Sequence, residues 1–249
     1  MQKYYNFTQI CCNFAKNKHG IMEQFTIFKA LQLLSGAVIA YLLGSIPSAV
    51  WIGKNFYGID VRKEGSHNAG ATNTIRVLGL KPGIFVLQID IVKGWFAVYL
   101  SSNIFGSFLK DWGWINEFSY YSLAIAIIVV IGHALPIFAG FKGGKGVATM
   151  LGAVIGLFHG IVPFVLAVFL LTFILTHYIS LSSIMAAISF PIFYLTSKLW
   201  LSKNEDITLS MAVFSIIVAL FIIWTHRKNI KRLINHQEPK FKFKKNCQN

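Results

Sequence analysis

Six long apolar runs limit what this chain can fold into. They occupy residues 30–53, 83–103, 120–139, 147–178, 181–200 and 208–225. Each run is near or above the ~20 residues that a helix needs to cross the hydrocarbon core of a bilayer. Apolar residues make up 55% of the 249 positions, and charged residues only 13%. The sequence therefore predicts an all-α, polytopic membrane protein, because a membrane β-barrel would show short segments of alternating hydropathy.

The apolar runs are enclosed by two polar ends. We expect residues 1–24 to form a poorly ordered extension, 25–241 to form a single integral-membrane domain and 242–249 to be a basic tail. The extension lacks the pattern of a signal peptide, and translation could start at Met22. The cysteines, all in these ends, are Cys11, Cys12 and Cys247. Their spacing implies neither a metal site nor a disulfide framework.

Cations are unevenly distributed among the segments between the runs. Segments 54–81 and 140–146 and the tail after residue 226 are rich in lysine and arginine, whereas 104–119 and 201–207 are not. By the positive-inside rule the first three are cytoplasmic and the other two lie outside. Topology and anionic lipid headgroups therefore explain most of the net charge of +14, and nucleic acid is not implied.

The number of membrane crossings follows from the sides of the membrane on which the loops lie. The turn at 140–146 and the C-terminal tail lie on the same side only if the chain crosses the membrane an even number of times between them. The run 147–178 must then be two helices; as one helix it would be about 48 Å long, against a hydrocarbon core of about 30 Å. Its break is expected near His159, Gly160 and Pro163. About seven crossings result, with the N-terminus outside and the C-terminus cytoplasmic.

The first loop, residues 58–79, is dense in potential hydrogen-bond donors. Its candidate ligand residues are Ser66, Asn68, Thr72, Asn73 and Arg76. Hydroxyls, amides and a guanidinium at an electropositive surface suit an anionic ligand. A plain connector, which would need turn residues but fewer donors, is the alternative.

The glycine turn, residues 140–146, combines adjacent glycines with two lysines just before an apolar run. Its candidate ligand residues are Lys142, Gly143, Gly144, Lys145 and Gly146. Adjacent glycines let backbone N–H groups approach a ligand, and the helix start that follows adds partial positive charge. The pattern departs from a Walker A loop, which needs Gly at 139 and Ser or Thr at 146. We interpret the turn as a phosphate site; a flexible turn with snorkelling lysines is the alternative.

Polar residues interrupt or end several runs. Asp90 and Lys93 are three positions apart and share a helix face, either as a structural ion pair or as substrate contacts. His226 and Asn229 have the same spacing, and headgroup binding by a polybasic tail does not explain them. Ser182 could bind a ligand or cap the next helix. No Ser-His-Asp or Cys-His pattern indicates a nucleophile, and no cluster indicates a metal or organic cofactor.

From residue 41 to residue 241 the sequence strongly resembles the bacterial acyl-phosphate:glycerol-3-phosphate acyltransferases. The matching motifs are 41–47, 65–73, Arg76, Asp90 with Lys93-Gly94, Gly132-His133, 142–149, 178–183 and 226–238. The resemblance implies a seven-helix protein of the bacterial inner membrane with its active site facing the cytoplasm. It implies transfer of a fatty acyl group from acyl phosphate to the sn-1 hydroxyl of glycerol 3-phosphate, giving lysophosphatidic acid and phosphate. It implies no cofactor, and a partner enzyme that forms acyl phosphate.

The motifs and the resemblance together assign roles. Catalytic roles are expected for Ser66, Arg76, Lys145, His226 and Asn229. Substrate contacts are expected for Asn68, Thr72, Asn73, Asp90, Lys93, His133, Lys142, Gly143, Gly144, Gly146 and Ser182. Glu238 matches a position needed for structural integrity. The resemblance suggests substrate phosphate as the base, with His226 as the runner-up.

Two positions depart from the family pattern. His67 and His236 stand where the family usually has glycine. A non-glycine residue is strained where φ is positive, although histidine tolerates that conformation better than most residues. We therefore expect local strain at both positions if each keeps the backbone of glycine.

A transporter of phosphorylated solutes is the alternative from another functional class. Inverted repeats and helices broken at the bilayer midplane are typical of transporters. The sequence has no internal repeat, and its candidate donors cluster at one surface. These features favour an enzyme that acts through positioning and charge stabilisation on a substrate with a good leaving group.

Overall fold

The computed structural model describes residues 30–101, 103, 115–201 and 209–241. Within these ranges the secondary structure is helical and contains no β-strand, which confirms the predicted all-α fold. The α-helices are α1 (Ala30–Gly44), α2 (Ser48–Tyr57), α3 (Ala71–Leu78), α4 (Leu80–Leu100), α5 (Ile115–Ala134), α6 (Val147–Leu157), α7 (Val162–Thr176), α8 (Ile179–Leu201), α9 (Leu209–Thr225) and α10 (Arg227–Ile234). Two 3₁₀ turns, Val61–Lys63 and Ile137–Ala139, lie in the connections.

Three described segments are long and apolar enough to span a bilayer, and two bent helix pairs raise that number to five if each pair is one span. The three are Leu80–Leu100, Tyr120–Ala139 and Ile179–Thr196. The bent pairs are α1 with α2 and α9 with α10, and α6 and α7 are shorter apolar helices. These features agree with the predicted polytopic membrane fold. Seven crossings and the orientation of the termini stay predictions.

Several expectations fall outside the described residues. These are the expectations for the N-terminal extension 1–24, the basic tail 242–249, and most of the outer connections at 104–119 and 201–207.

Two apolar runs are each broken into two helices. The expected break in the run 147–178 is confirmed, because residues 158–161 separate α6 from α7 and Pro163 lies in the first turn of α7. The run 30–53, expected to be one helix, is instead bent by 41° between α1 and α2. Pro47 explains this bend, because proline lacks a backbone N–H and disfavours helix at the residue before it.

Helix α4 lies at the centre of the contacts between helices. It packs along α6 and also contacts α2, α3 and α5, while α8 packs against both α7 and α9. The close approach of α4 and α6 depends on glycine. A Cβ atom on Gly94 would lie 2.0 Å from the carbonyl oxygen of Thr149, and one on Gly152 would lie 1.9 Å from that of Ile91. The start of α6 is therefore held against the middle of α4.

Gly152→Ala is expected to lower the free energy of unfolding by about 1–3 kcal/mol, because the added methyl group would overlap the backbone of Ile91. Thermal unfolding in detergent, followed by circular dichroism, measures the change. Gly160→Ala is the matched control, because nothing lies within 4 Å of a Cβ atom at that position. Equal melting temperatures for the two variants would contradict a close α4–α6 contact.

Candidate active site

Helix α4 contains a buried ion pair. The side chains of Asp90 and Lys93 are 1% and 4% exposed, and the Lys93 ammonium lies 2.8 Å from Asp90 Oδ1. Ser48 donates a hydrogen bond to the same oxygen at 2.8 Å. Lys93 also donates to the carbonyl oxygen of Ile46 at 2.9 Å, and its ammonium lies 3.0 Å from His133 Nδ1. Buried charges need such partners. The structure therefore favours the structural ion pair over the substrate contacts that were also expected of Asp90 and Lys93.

The ion pair supports the glycine turn through His133. Gly144 packs so closely on the His133 ring that a Cβ atom on Gly144 would lie 2.2 Å from Nε2. The N–H of Gly144 donates to the carbonyl oxygen of His133, and that of Gly143 donates to Ala134, both at 3.2 Å. These two amides are therefore not free, as the interpretation of the turn assumed, and a substrate contact at Gly143 or Gly144 stays a prediction. Protein carbonyls already occupy them, and the two glycines let the turn fold against the end of α5.

The start of α6 supplies further amides at this turn. Gly146 is the N-cap residue, with φ of 79°, and no side chain in the described part of the chain caps this helix. The first N–H groups of a helix lack partners within the helix and carry partial positive charge. The 11-residue helix α6 therefore directs its positive end toward the surface where Lys145 precedes it. Lys142, in the same turn, is exposed.

Asn73 organises the first loop. Its Oδ1 accepts hydrogen bonds from the backbone N–H and the hydroxyl of Ser66, at 2.7 and 3.0 Å. Its Nδ2 donates to the carbonyl oxygens of Val61 and Glu64, at 2.7 and 3.1 Å. These bonds use both amide hydrogens and both acceptor positions of the carboxamide. Asn73 therefore shapes the loop that presents Ser66, and its expected substrate contact stays a prediction.

Arg62 ties the first loop to the segment before the glycine turn. Its guanidinium forms hydrogen bonds of 3.0 and 2.8 Å with Asp60 and donates to the carbonyl oxygen of Ala139 at 2.8 Å. Hydrogen bonds from Arg62 hold the pKa of the Asp60 carboxyl well below its usual range, although burial alone would raise it. A second contact lies nearby, since a Cβ atom on Gly144 would lie 3.0 Å from the carbonyl oxygen of Ala69. The first loop and the glycine turn therefore form one surface.

Lys145 connects this surface to α10. Its ammonium donates a hydrogen bond to Asn229 Oδ1. Asn229 Nδ2 donates to Glu238 Oε1 at 2.7 Å, Ser180 donates to the same oxygen at 2.7 Å, and Arg232 Nε lies 2.6 Å from Glu238 Oε2. Because a carboxylate only accepts hydrogen bonds, Glu238 orients the Asn229 amide so that its oxygen faces Lys145. Glu238 thus connects α8, α10 and the following segment, and its importance for structural integrity stays a prediction.

The charge of Lys145 is sensitive to its surroundings. Burial lowers the pKa of the Lys145 ammonium to about 8, Glu238 acts to raise it, and the positive charges of Arg232 and Arg76 lower it further. The positive charge of Arg76, in the last turn of α3, therefore acts on the Lys145 ammonium. Among the other first-loop candidates, Thr72 is exposed and Asn68 is partly buried.

His226 and Ser182 have different surroundings. His226 is buried at the bend between α9 and α10, and its Nδ1 lies 2.8 Å from the carbonyl oxygen of Ile222. Nδ1 therefore acts as the donor, which leaves Nε2 of the neutral ring as an acceptor. Ser182 is fully buried, and its hydroxyl donates to the carbonyl oxygen of Tyr178 at 2.9 Å. Because the Ser182 hydroxyl donates to a carbonyl, it does not cap the start of α8, and the alternative ligand contact stays a prediction.

Both histidines that replace the family's usual glycines have positive φ. The angle is 58° at His67 and 53° at His236. This left-handed conformation costs an L-residue roughly 1–2 kcal/mol. His67 Nδ1 lies 3.2 Å from the carbonyl oxygen of Arg62, and the N–H of His236 donates to Leu233 at the end of α10. The expected local strain is therefore present at both positions.

Four contributors to the site were not predicted from the sequence. Ser48 and the carbonyl of Ile46 complete the buried ion pair, and Ser180 and Arg232 complete the carboxylate cluster at α10. Arg232 stands in a polybasic run that headgroup binding explains equally well. Ser48 could have been identified from the sequence, because it is a polar residue directly after Pro47 inside an apolar run.

The arrangement suits the binding of phosphoryl groups and the stabilisation of negative charge. It offers two cations, Lys145 and Arg76, together with the hydroxyl of Ser66 and the positive end of α6. Ser66 donates to an amide oxygen and not to a histidine, so it lacks the base that activates a nucleophilic serine. Among the described residues, no group of three or more His, Cys, Asp or Glu side chains could hold a metal ion.

The fold and this surface define a helical integral membrane protein whose cations and hydroxyls gather at one end. The family model described as glycerol-3-phosphate acyltransferase matches residues 34–236. The chain therefore belongs to the glycerol-3-phosphate acyltransferase family, as the resemblance of its motifs predicted.

Individual relatives agree with this assignment. The glycerol-3-phosphate acyltransferase of Fusobacterium nucleatum is 41% identical over 207 residues, which cover 83% of this chain and 96% of the relative. That of Chlorobium limicola is 41% identical over 233 residues, with coverage of 86% and 99%. The crystal structure of PlsY, an integral membrane glycerol 3-phosphate acyltransferase, in its glycerol 3-phosphate form is 33% identical, with a TM-score of 0.70 and coverage of 85% of this chain and 96% of that one. Its lysophosphatidic acid form is 32% identical with a TM-score of 0.68, and the coverage is 85% and 96%.

Lys93→Met should lower the free energy of unfolding by about 3–5 kcal/mol, because it leaves the charge of Asp90 buried without its partner. Thermal unfolding in detergent measures the loss. Lys81→Met, an exposed position on the same helix, is the matched control and should change little. The double variant Asp90→Asn/Lys93→Met should regain part of the loss. A melting temperature for Lys93→Met equal to that of the control would contradict a structural role for the pair.

Proposed function

We propose that this protein transfers a fatty acyl group from acyl phosphate to the sn-1 hydroxyl of glycerol 3-phosphate and releases lysophosphatidic acid and inorganic phosphate. The proposal rests above all on Lys145, which Asn229 holds in place and which lies within the electrostatic influence of Arg76. The family assignment supports glycerol 3-phosphate as the acceptor. The structures of PlsY in glycerol 3-phosphate and lysophosphatidic acid forms support the proposed acceptor and product.

Both proposed substrates contain a phosphoryl group, and the surface offers cations for two. Arg76, Lys145 and the N–H groups at the start of α6 would hold these groups and stabilise the charge that develops on the departing phosphate. Ser66 and Asn229 would orient the substrates through a hydroxyl and an amide. Contacts from Asn68, Thr72 and Lys142 belong to the same proposal, since all three lie on the first loop or the glycine turn.

The acyl phosphate itself makes a protein nucleophile unnecessary. It is a mixed anhydride, so its phosphate is already a good leaving group. The sn-1 oxygen of glycerol 3-phosphate attacks the acyl carbonyl carbon, and the bond from that carbon to the phosphate oxygen breaks. The electron pair leaves with the phosphate, and the hydroxyl proton passes to a substrate phosphate oxygen. His226, whose Nε2 is an acceptor in the neutral ring, is the second candidate for the base.

We place this chemistry at the cytoplasmic face of a bacterial inner membrane. The segments richest in lysine and arginine, including the first loop and the glycine turn, are those that the positive-inside rule assigns to the cytoplasm. Glycerol 3-phosphate would reach the site from the cytosol, and the acyl chain would lie between helices in the membrane. An enzyme that makes acyl phosphate would supply the donor.

Purified protein should release inorganic phosphate when palmitoyl phosphate and glycerol 3-phosphate are both present, and palmitoyl-CoA should not replace palmitoyl phosphate. Lys145→Ala and Arg76→Ala should each lower kcat/KM by at least about 100-fold, because each removes a cation that stabilises developing charge. Phosphate release and thin-layer separation of the lipid product measure the reaction.

Lys81→Ala is the control for loss of an exposed lysine, and unchanged thermal unfolding shows that each variant remains folded. Wild-type rates in either of the other variants would remove that residue from the mechanism. Uptake of glycerol 3-phosphate into vesicles without any chemistry would favour a transporter.

The pH dependence should follow the Lys145 ammonium. Its pKa of about 8 means that, in the free enzyme, the required positive charge is present below this pH and is lost above it. We therefore expect kcat/KM to fall as the pH rises through about 8. Lys145→Arg should move this decline to higher pH, even if the overall rate is lower, because guanidinium stays charged. A decline at the same pH in both proteins would assign the titration to another group.

A further inference from the structure

Helix α10 has two faces with different surroundings. Asn229 is buried on one face, where it contacts Lys145 and Glu238. On the opposite side the exposed cations of the helix are Arg227, Lys228 and Lys231. Their spacings of three and four residues place them in one stripe along the helix. The outward stripe, residues 227, 228 and 231, therefore lies directly behind a residue of the candidate active site.

Few groups of the protein itself contact the charged side chains of the outward stripe. Among the described residues, no hydrogen bond or ion pair engages the side-chain ammonium of Lys228 or Lys231, and both residues are exposed. The Arg227 guanidinium lies 4.7 Å from the centre of the Trp224 ring and donates a long hydrogen bond of 3.5 Å to the Trp224 carbonyl oxygen, but it contacts no carboxylate within the described ranges. The carboxylate of Glu238 faces the other side of the helix, where Arg232 binds it. The packing of α10 against the protein therefore does not explain these three cations.

The apolar residues beside the stripe suggest where it lies. Trp224, the neighbour of Arg227, is 60% exposed, and Ile234 at the end of α10 is 71% exposed. Tryptophan is enriched where the hydrocarbon core meets the headgroups, and a helix with exposed cations beside apolar side chains is typical of the membrane surface. The 61° bend between α9 and α10 turns the polar helix away from the direction of the apolar one. This geometry fits a short helix lying at the level of the lipid headgroups.

We propose that the outward stripe of α10 binds an anionic lipid surface, and that this contact helps to hold Asn229 against Lys145. Each cation close to such a surface multiplies the binding constant by roughly five, so the stripe favours anionic over zwitterionic lipids. Because Asn229 and the stripe belong to one eight-residue helix, movement of α10 away from the membrane would also move the partner of Lys145. Activity would then rise with the anionic lipid content of the membrane. The binding step stands on charge and exposure alone, and the effect on activity rests on the proposed function.

The test compares the protein in nanodiscs of phosphatidylcholine with nanodiscs containing about one third phosphatidylglycerol. Hydrogen exchange of the backbone amides in residues 226–236 reports on α10 directly and requires no catalysis. We expect exchange to be at least about three-fold slower with phosphatidylglycerol, and kcat/KM to rise. Lys228→Gln/Lys231→Gln should lose most of both responses, whereas the matched double variant Lys63→Gln/Lys81→Gln should keep them.

The outcomes separate the two proposals. If phosphatidylglycerol protects α10 in the wild type but not in Lys228→Gln/Lys231→Gln, and no acyl transfer occurs in any sample, lipid binding stands and the proposed function fails. Equal exchange rates in the two lipids, or equal protection of both double variants, would overturn the lipid-binding proposal while leaving acyl transfer unaffected. Protection that requires an added soluble acidic protein would assign the stripe to that partner and overturn the proposal as well.

Discussion

Lys93 places a positive charge inside the helix bundle, and four groups from three chain segments converge on it or on its partner. Asp90 neutralises the charge, Ser48 satisfies the carboxylate, and Ile46 and His133 offer a carbonyl oxygen and a ring nitrogen to the ammonium. A buried ion pair contributes to stability only when its remaining hydrogen-bonding positions are filled in this way. The arrangement fixes the bend after α1 and the end of α5 relative to α4.

The rest of the site is built outward from this pair in successive contacts. The His133 ring supports the glycine turn, that turn holds Lys145, and Lys145 binds Asn229. Glu238 completes the series by orienting the Asn229 amide. Precise placement of a few cations is what charge-stabilising catalysis requires.

Local chemistry allowed part of this arrangement to be predicted from the sequence. Proline and glycine marked the break after α6, and the three-residue spacing of Asp90 and Lys93 indicated a shared helix face. The expectation that the amides of Gly143 and Gly144 are free was wrong, because their hydrogen bonds depend on the tertiary structure. Their partners are carbonyl groups at the end of α5, and no local pattern shows that the chain brings those carbonyls within reach. The same limit applies to Asn73, because its four hydrogen bonds depend on how the whole loop closes.

The bend at Pro47 affects which substitutions this chain can tolerate at positions 46 and 47. In a continuous helix the carbonyl oxygen of residue 46 would accept the N–H of residue 50, but here that N–H bonds to Pro47. The oxygen of Ile46 instead accepts the N–H of Ser48 and the Lys93 ammonium. The bend thus turns a main-chain atom into a cation ligand. Every amino acid has this atom, so side chains at position 46 can vary during evolution without loss of the ligand. The constraint falls instead on position 47, where the proline ring redirects the chain and the oxygen of Ile46 meets Lys93.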